Sequence, residues 1–130
     1  MLSYKSRNLG HYSAHMTTIR ILLVDDQEEL LEITRIFLEK GGELIVDTTT
    51  SALHALEMLK EKKYDAIVSD YEMPHMDGIE FLKTIKKNGL EKPFIIFTGR
   101  SREDIVIEAL NCGADFYLQK GSKPTVQFAE

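Results

Sequence analysis

Asp65-Ala66-Ile67-Val68-Ser69-Asp70 is a short apolar run closed by a carboxylate, and it breaks at once into the turn-forming stretch Tyr71-Glu72-Met73-Pro74-His75-Met76-Asp77-Gly78. A run of that length, bounded by turn formers, reads as a buried strand. A carboxylate at the C-terminal lip of such a strand is where open α/β sheets place their chemistry. Upstream, Ile19-Arg20-Ile21-Leu22-Leu23-Val24 ends in Asp25 and Asp26, two more carboxylates for the same lip.

Outward from that strand, strand-like and helix-like segments alternate, the pattern of a parallel sheet with crossover helices. Strands are expected at about 19–24, 43–47, 65–69, 94–97 and 115–118. Between the first two, Leu30, Ile33 and Phe37 share one helical face that stops at Gly41-Gly42. Ala52, Leu53, Ala55, Leu56 and Leu59 follow at helical spacing, with Ser51 as N-cap. A third helix starts near Gly78, carries Ile79, Leu82 and Ile85 inward, and ends at Asn88-Gly89; a fourth spans about 102–111 and is closed by Gly113. Pro124 opens a fifth, with Val126 and Phe128 as its first core contacts, and the two turns present are short of the usual ~10–14 residues. That helix is therefore expected to be truncated. Residues 1–17 are polar and aperiodic and read as a flexible leader, including His11 and His15 at helical spacing and Met16 as an alternative start.

The composition sets limits. The chain has 130 residues, 43% hydrophobic and 28% charged, enough for one core. A net charge of −5 and a pI near 5.4 give no general electrostatic reason to bind nucleic acid or an anionic membrane. No apolar run approaches the ~18 residues of a membrane span, and no signal-peptide pattern opens the chain, so a cytoplasmic location is expected. Cys112 is the one cysteine, which excludes an internal disulfide, and it reads as a half-buried thiol.

Every strand of a parallel sheet ends at the same edge, so the topology would gather Asp25, Asp26, Asp70, Thr98 and Lys120. Taken alone, each has an ordinary role: Asp26 as a helix cap, Thr98 as a strand terminus, Lys120 as a surface charge. Together they make an acidic pocket whose oxygen ligands suit Mg²⁺ or Mn²⁺ rather than Zn²⁺. Mg²⁺ takes one or two carboxylates and keeps room for phosphate oxygens. With a carboxylate nucleophile, a hydroxyl and an ammonium beside it, the natural reaction is phosphoryl transfer onto Asp70. Lys120 would pair with the negative oxygens and Thr98 would donate a hydrogen bond to one of them.

The set Val24-Asp25-Asp26, the Asp70 turn with Met73-Pro74 and Asp77-Gly78, Thr98-Gly99, and Gly113-Ala114-Asp115-Phe116-Tyr117-Leu118-Gln119-Lys120 closely resembles a response-regulator receiver domain, over residues 18–130. The resemblance implies a three-layer, doubly wound, flavodoxin-like fold with five parallel strands in the order 2-1-3-4-5. It implies that Asp70 takes a phosphoryl group from a histidine kinase or phosphotransfer domain, with Mg²⁺ held by Asp25 or Asp26, Asp70 and the Glu72 carbonyl. It further implies that Thr98 and Tyr117 act as the switch, that Glu72 and Arg100 tune phosphate lifetime, and that the helix at 102–111, strand 115–118 and the last helix form the output face, through which receivers often dimerise. Such a domain catalyses its own aspartyl phosphorylation and dephosphorylation without turning over an external substrate.

In one respect the chain departs from the family pattern. Gly121 follows Lys120 where receivers generally have proline, which leaves the geometry of that loop open. Two architectures also stay open, a stand-alone receiver and a module of a larger regulator or hybrid sensor kinase, the second being favoured. The alternative function is a pseudo-receiver, a phosphorylation-independent interaction module.

Overall fold

The computed structural model describes residues 18–99 and 102–120. The expected leader, Arg100, the peptide after Lys120 and the expected fifth helix lie outside the described residues. Within them the chain alternates β1 (Ile19–Val24), α1 (Glu28–Glu39), β2 (Leu44–Thr49), α2 (Ala52–Glu61), β3 (Ala66–Ser69), α3 (Gly78–Lys87), β4 (Phe94–Thr98), α4 (Glu103–Asn111) and β5 (Phe116–Gln119). All neighbouring strands pair in parallel, in the order β2-β1-β3-β4-β5. The flavodoxin-like topology expected from the sequence is therefore the one observed.

Two of the strand entries are fixed by side chains from the preceding loops. Asp65 accepts from the Arg20 amide at 2.8 Å, tying the start of β3 to β1, and Asp115 accepts from the Phe94 amide at 2.8 Å, tying β5 to β4. Each carboxylate satisfies an amide that the sheet ladder leaves without a partner strand.

Helices α2, α3 and α4 pack on one face of the sheet. Ala52, Ala55, Ile79, Phe81, Leu82, Ile85, Ile105 and Ala109 meet Leu22, Val24, Ile67, Phe94 and Ile96 there. Helix α3 carries the largest share, and burying each of its Ile, Leu and Phe side chains contributes about 1.5–3 kcal/mol. Its start is set by a reciprocal capping box: Asp77 accepts from the Glu80 amide at 2.8 Å and Glu80 from the Asp77 amide at 2.9 Å. Ser51 caps α2 through the His54 amide at 3.3 Å.

On the opposite face, α1 meets the sheet through one part of its apolar surface. Leu31 is buried and Leu38 packs with it against Leu23, Val46 and Ile21, whereas Ile33 and Phe37 are 64% and 57% exposed. The reason is that α1 is apolar round more than one face. The spacings 30/33/37 and 31/38 are both helical, and docking on β1 and β2 selects the second. Ile33 and Phe37 instead overhang a groove of about 350 Å³ floored by Ile21, Leu23, Val68, Ile95, Phe97 and Leu118. Leu53 of α2 is 51% exposed, and the small residues Ala52 and Ala55 take the contact with the sheet.

Candidate functional site

The parallel ladder sets the ends of β1, β3 and β4 side by side: Val24 is in register with Ser69, and Ser69 with Ile96. The residues that follow them converge. Carboxylate oxygens of Asp25, Asp26 and Asp70 lie within 4.8 Å of one another. Asp25 and Asp70 are buried, Asp26 is exposed at the rim, and Thr98 is buried at the end of β4. Lys120 arrives just past β5, held by its amide on the Thr98 carbonyl at 2.8 Å. Its ammonium donates to Asp25 and stands 3.4 Å from Asp70 Oδ2. Asp26, Gln27, Asp70, Glu72, Thr98, Gly99 and Lys120 line the resulting open pocket of about 380 Å³.

The backbone around the nucleophile candidate is tightly specified. The Asp70 amide donates to the Val24 carbonyl at 2.8 Å, extending the ladder one residue past β3, and the Tyr71 amide donates to Asp70 Oδ1 at 2.7 Å. The turn beyond closes on itself where the Met76 amide reaches the Pro74 carbonyl at 2.8 Å, which puts His75 at φ 73°, the left-handed region. Met73 is buried and Met76 packs against the core, so both methionines close the loop onto the domain. His75 is exposed. The turn ends at Gly78, whose amide donates to the Tyr71 carbonyl at 2.7 Å; a Cβ on Gly78 would lie 2.3 Å from the Asp70 carbonyl oxygen. No other residue type fits there without moving the loop.

Electrostatically the site is unbalanced. Burial pushes the Asp25 carboxyl above its ordinary range, against the opposing pull of the Lys120 hydrogen bond and the Gln27 amide, and the charge of Asp70 adds to the rise. Among the described residues, one ammonium thus faces three carboxylates. A divalent cation would supply the missing charge, and an all-oxygen donor set with a rim open to water fits Mg²⁺. Asp25, Asp26 and Asp70 are the carboxylates brought together there.

Tyr117 and Phe116 point to opposite faces of β5. Tyr117, in register with Ile96, is half-buried against the large core, and burial together with Tyr71 and Asp70 pushes its phenol up. Phe116 is 59% exposed on the other side. Glu72 is exposed beside the pocket. Two features escaped the sequence reading. Phe97 places its ring 5.8 Å from the Lys120 ammonium, and Ser69, fully buried, donates to the Asp70 carbonyl at 2.8 Å. A hydroxyl ending an otherwise apolar strand was the available signal for Ser69.

Comparison with known proteins gives one consistent result. Residues 21–127 match the family model of the response regulator receiver domain. The response regulator SaeR of Staphylococcus aureus is 36% identical over 104 residues, which cover 80% of this chain and 45% of that protein. The chain thus spans about half the length of this curated relative. Among solved structures, the receiver domain of the Francisella response regulator 1452 is 30% identical with a TM-score of 0.74, covering 79% of this chain and 84% of the other. A response regulator receiver domain protein from Clostridium thermocellum is 31% identical with a TM-score of 0.75, covering 85% and 90%. The chemotaxis protein CheY4 of Vibrio cholerae is 25% identical with a TM-score of 0.78, covering 86% and 94%.

Proposed function

The chain belongs to the response regulator receiver family, and on that premise we propose that it is a phosphoacceptor: Asp70 takes a phosphoryl group from a histidine kinase or phosphotransfer domain, and the output face responds. The observation that carries this reading is the position of Lys120, bonded to Asp25 and 3.4 Å from Asp70 Oδ2 at the mouth of an open pocket. An ammonium so placed meets the oxygens of an arriving phosphoryl group.

In the transfer, an Asp70 carboxylate oxygen forms the new P–O bond as the P–N bond of a phosphohistidine breaks, and the imidazole keeps the electron pair and takes a proton from water. Lys120 neutralises charge on the phosphoryl oxygens and the Thr98 hydroxyl accounts for one further hydrogen bond. Mg²⁺, or Mn²⁺ in its place, would be held by Asp25, Asp26, Asp70 and the Glu72 carbonyl, and supplies charge neutralisation between carboxylates and phosphate. Hydrolysis of the aspartyl phosphate by water returns the site, and Glu72 and Arg100 are the residues proposed to tune its lifetime. The proposed switch is Thr98 drawn toward the phosphoryl group and Tyr117 changing rotamer, a two-state element biased by a local charge. The output face would then be α4 and β5, with dimerisation through it as one readout. We place the domain in the cytoplasm, as a module of a larger regulator or hybrid sensor kinase, with no direct nucleic-acid or membrane contact of its own.

The test is phosphorylation by acetyl phosphate with and without Mg²⁺, read by intact mass, beside Asp70→Asn. A metal-dependent gain of one phosphoryl group, lost in mild base and absent in the variant, is expected. A folded, Mg²⁺-binding wild type that gains none would instead mark an interaction module.

A further inference from the structure

The Asp70–Tyr71 peptide is clamped on both of its polar ends. Its N–H donates to Asp70 Oδ1 at 2.7 Å, so its orientation sets where one oxygen of the nucleophile sits and leaves Oδ2 toward Lys120. Its C=O accepts from Ser69 Oγ at 2.8 Å and lies against Gly78, where no Cβ fits. Ser69 is fully buried, so its hydroxyl does not exchange this bond for water. A rotation of this peptide would turn its C=O away from Ser69 and its N–H away from Oδ1 together, because both groups belong to one rigid plane.

From this we infer that Ser69 is a positioning residue for phosphoryl transfer: through the Asp70–Tyr71 peptide it fixes the rotation of the Asp70 carboxylate. The inference rests on the phosphoacceptor reading of Asp70. Ser69 touches neither phosphate nor metal, and acts by holding one carboxylate oxygen on the Tyr71 amide so that the other is presented at a constant angle. A small misplacement of a reacting oxygen is enough to slow a positioned reaction by about tenfold or more.

The experiment compares wild type, Ser69→Ala and Ser69→Thr in acetyl phosphate titrations at saturating Mg²⁺, with the Tyr71 amide followed by ¹H–¹⁵N NMR. Ser69→Ala is expected to lower the maximal rate about tenfold while the donor concentration at half-maximal rate stays put, and to shift the Tyr71 amide. Ser69→Thr, which restores a hydroxyl, is expected to recover most of the rate and the wild-type shift. Should Ser69→Ala not fold, Ser69→Cys keeps the volume with a weaker donor and is expected to fall between. A folded alanine variant with the wild-type maximal rate and an unmoved Tyr71 amide overturns the inference. A wild type that takes no phosphoryl group defeats the phosphoacceptor reading instead, and the Tyr71 shift still reports whether the clamp exists.

Discussion

Lys120 and Asp25, 95 positions apart in the chain, are joined by a partly buried hydrogen-bonded ion pair across the C-terminal edge of the sheet. The pair is incomplete as a charge balance, because Asp70 and Asp26 share the same space. That deficit makes the site receptive to a cation and sets the direction of several measurable effects.

Among the described residues, removing the ammonium leaves three carboxylates without a counter-ion beside them. Lys120→Met is expected to lower the unfolding midpoint of the metal-free protein and to slow phosphorylation about a hundredfold, the scale on which a charge-stabilising group acts in transfer reactions. Thermal melts with and without Mg²⁺ check the first part, because added metal should narrow the gap. Acetyl phosphate kinetics check the second.

Asp25→Asn is expected to act in the other direction on stability. The Asp25 carboxyl is raised in the fold, so its contribution favours folding below the ordinary carboxylate value and is lost as pH rises through the raised one. The asparagine variant should therefore be more stable than wild type when metal-free, by a margin that is smallest near about pH 4 and grows toward neutrality. It should also lose most of the stabilisation that Mg²⁺ gives wild type, which is about 2.7 kcal/mol at a hundredfold excess over Kd. Denaturant unfolding across that pH range, with and without Mg²⁺, measures both.

Away from the site, Tyr64 donates to Asp47 at 2.6 Å, and Lys62 and Arg20 stand 3.4 and 3.6 Å from the same carboxylate. Burial alone would raise Asp47, but the Tyr64 and Lys62 bonds outweigh it and hold the group below its ordinary range. A depressed carboxylate stabilises above its unfolded value and loses that contribution as pH falls through the folded one. Tyr64→Phe should thus cost about 1–2 kcal/mol at neutral pH, and the deficit should shrink in acid. Urea unfolding at neutral pH and below about pH 3.5 tests it, and a constant deficit would contradict the assignment.

The Asp70 turn holds one position that its residue suits poorly. His75 has φ 73°, where a side chain costs about 1–2 kcal/mol, so His75→Gly is expected to raise stability by up to about 1 kcal/mol after the entropy of the unfolded glycine is counted. At Gly78 the reverse holds. Gly78→Ala drives a methyl into the Asp70 carbonyl and should destabilise by about 2 kcal/mol or more while impairing phosphorylation. Unfolding free energies of the two variants, set beside their phosphorylation rates, separate these effects.

The sequence by itself determined the order of elements, the parallel sheet and the set of strand-end residues, since short apolar runs, helical spacing and turn formers are local signals that survive any packing. It marked Asp25, Asp26, Asp70, Thr98 and Lys120 because each ends or follows a strand, and one edge collects them all. Tertiary structure alone decided which apolar stripe of α1 faces the sheet, since 30/33/37 and 31/38 are equally helical until the strands choose between them. It also decided the partners of Ser69, Asp47, Asp65 and Asp115. Their hydrogen bonds are set by directions and distances in space, to which spacing along a chain gives no access.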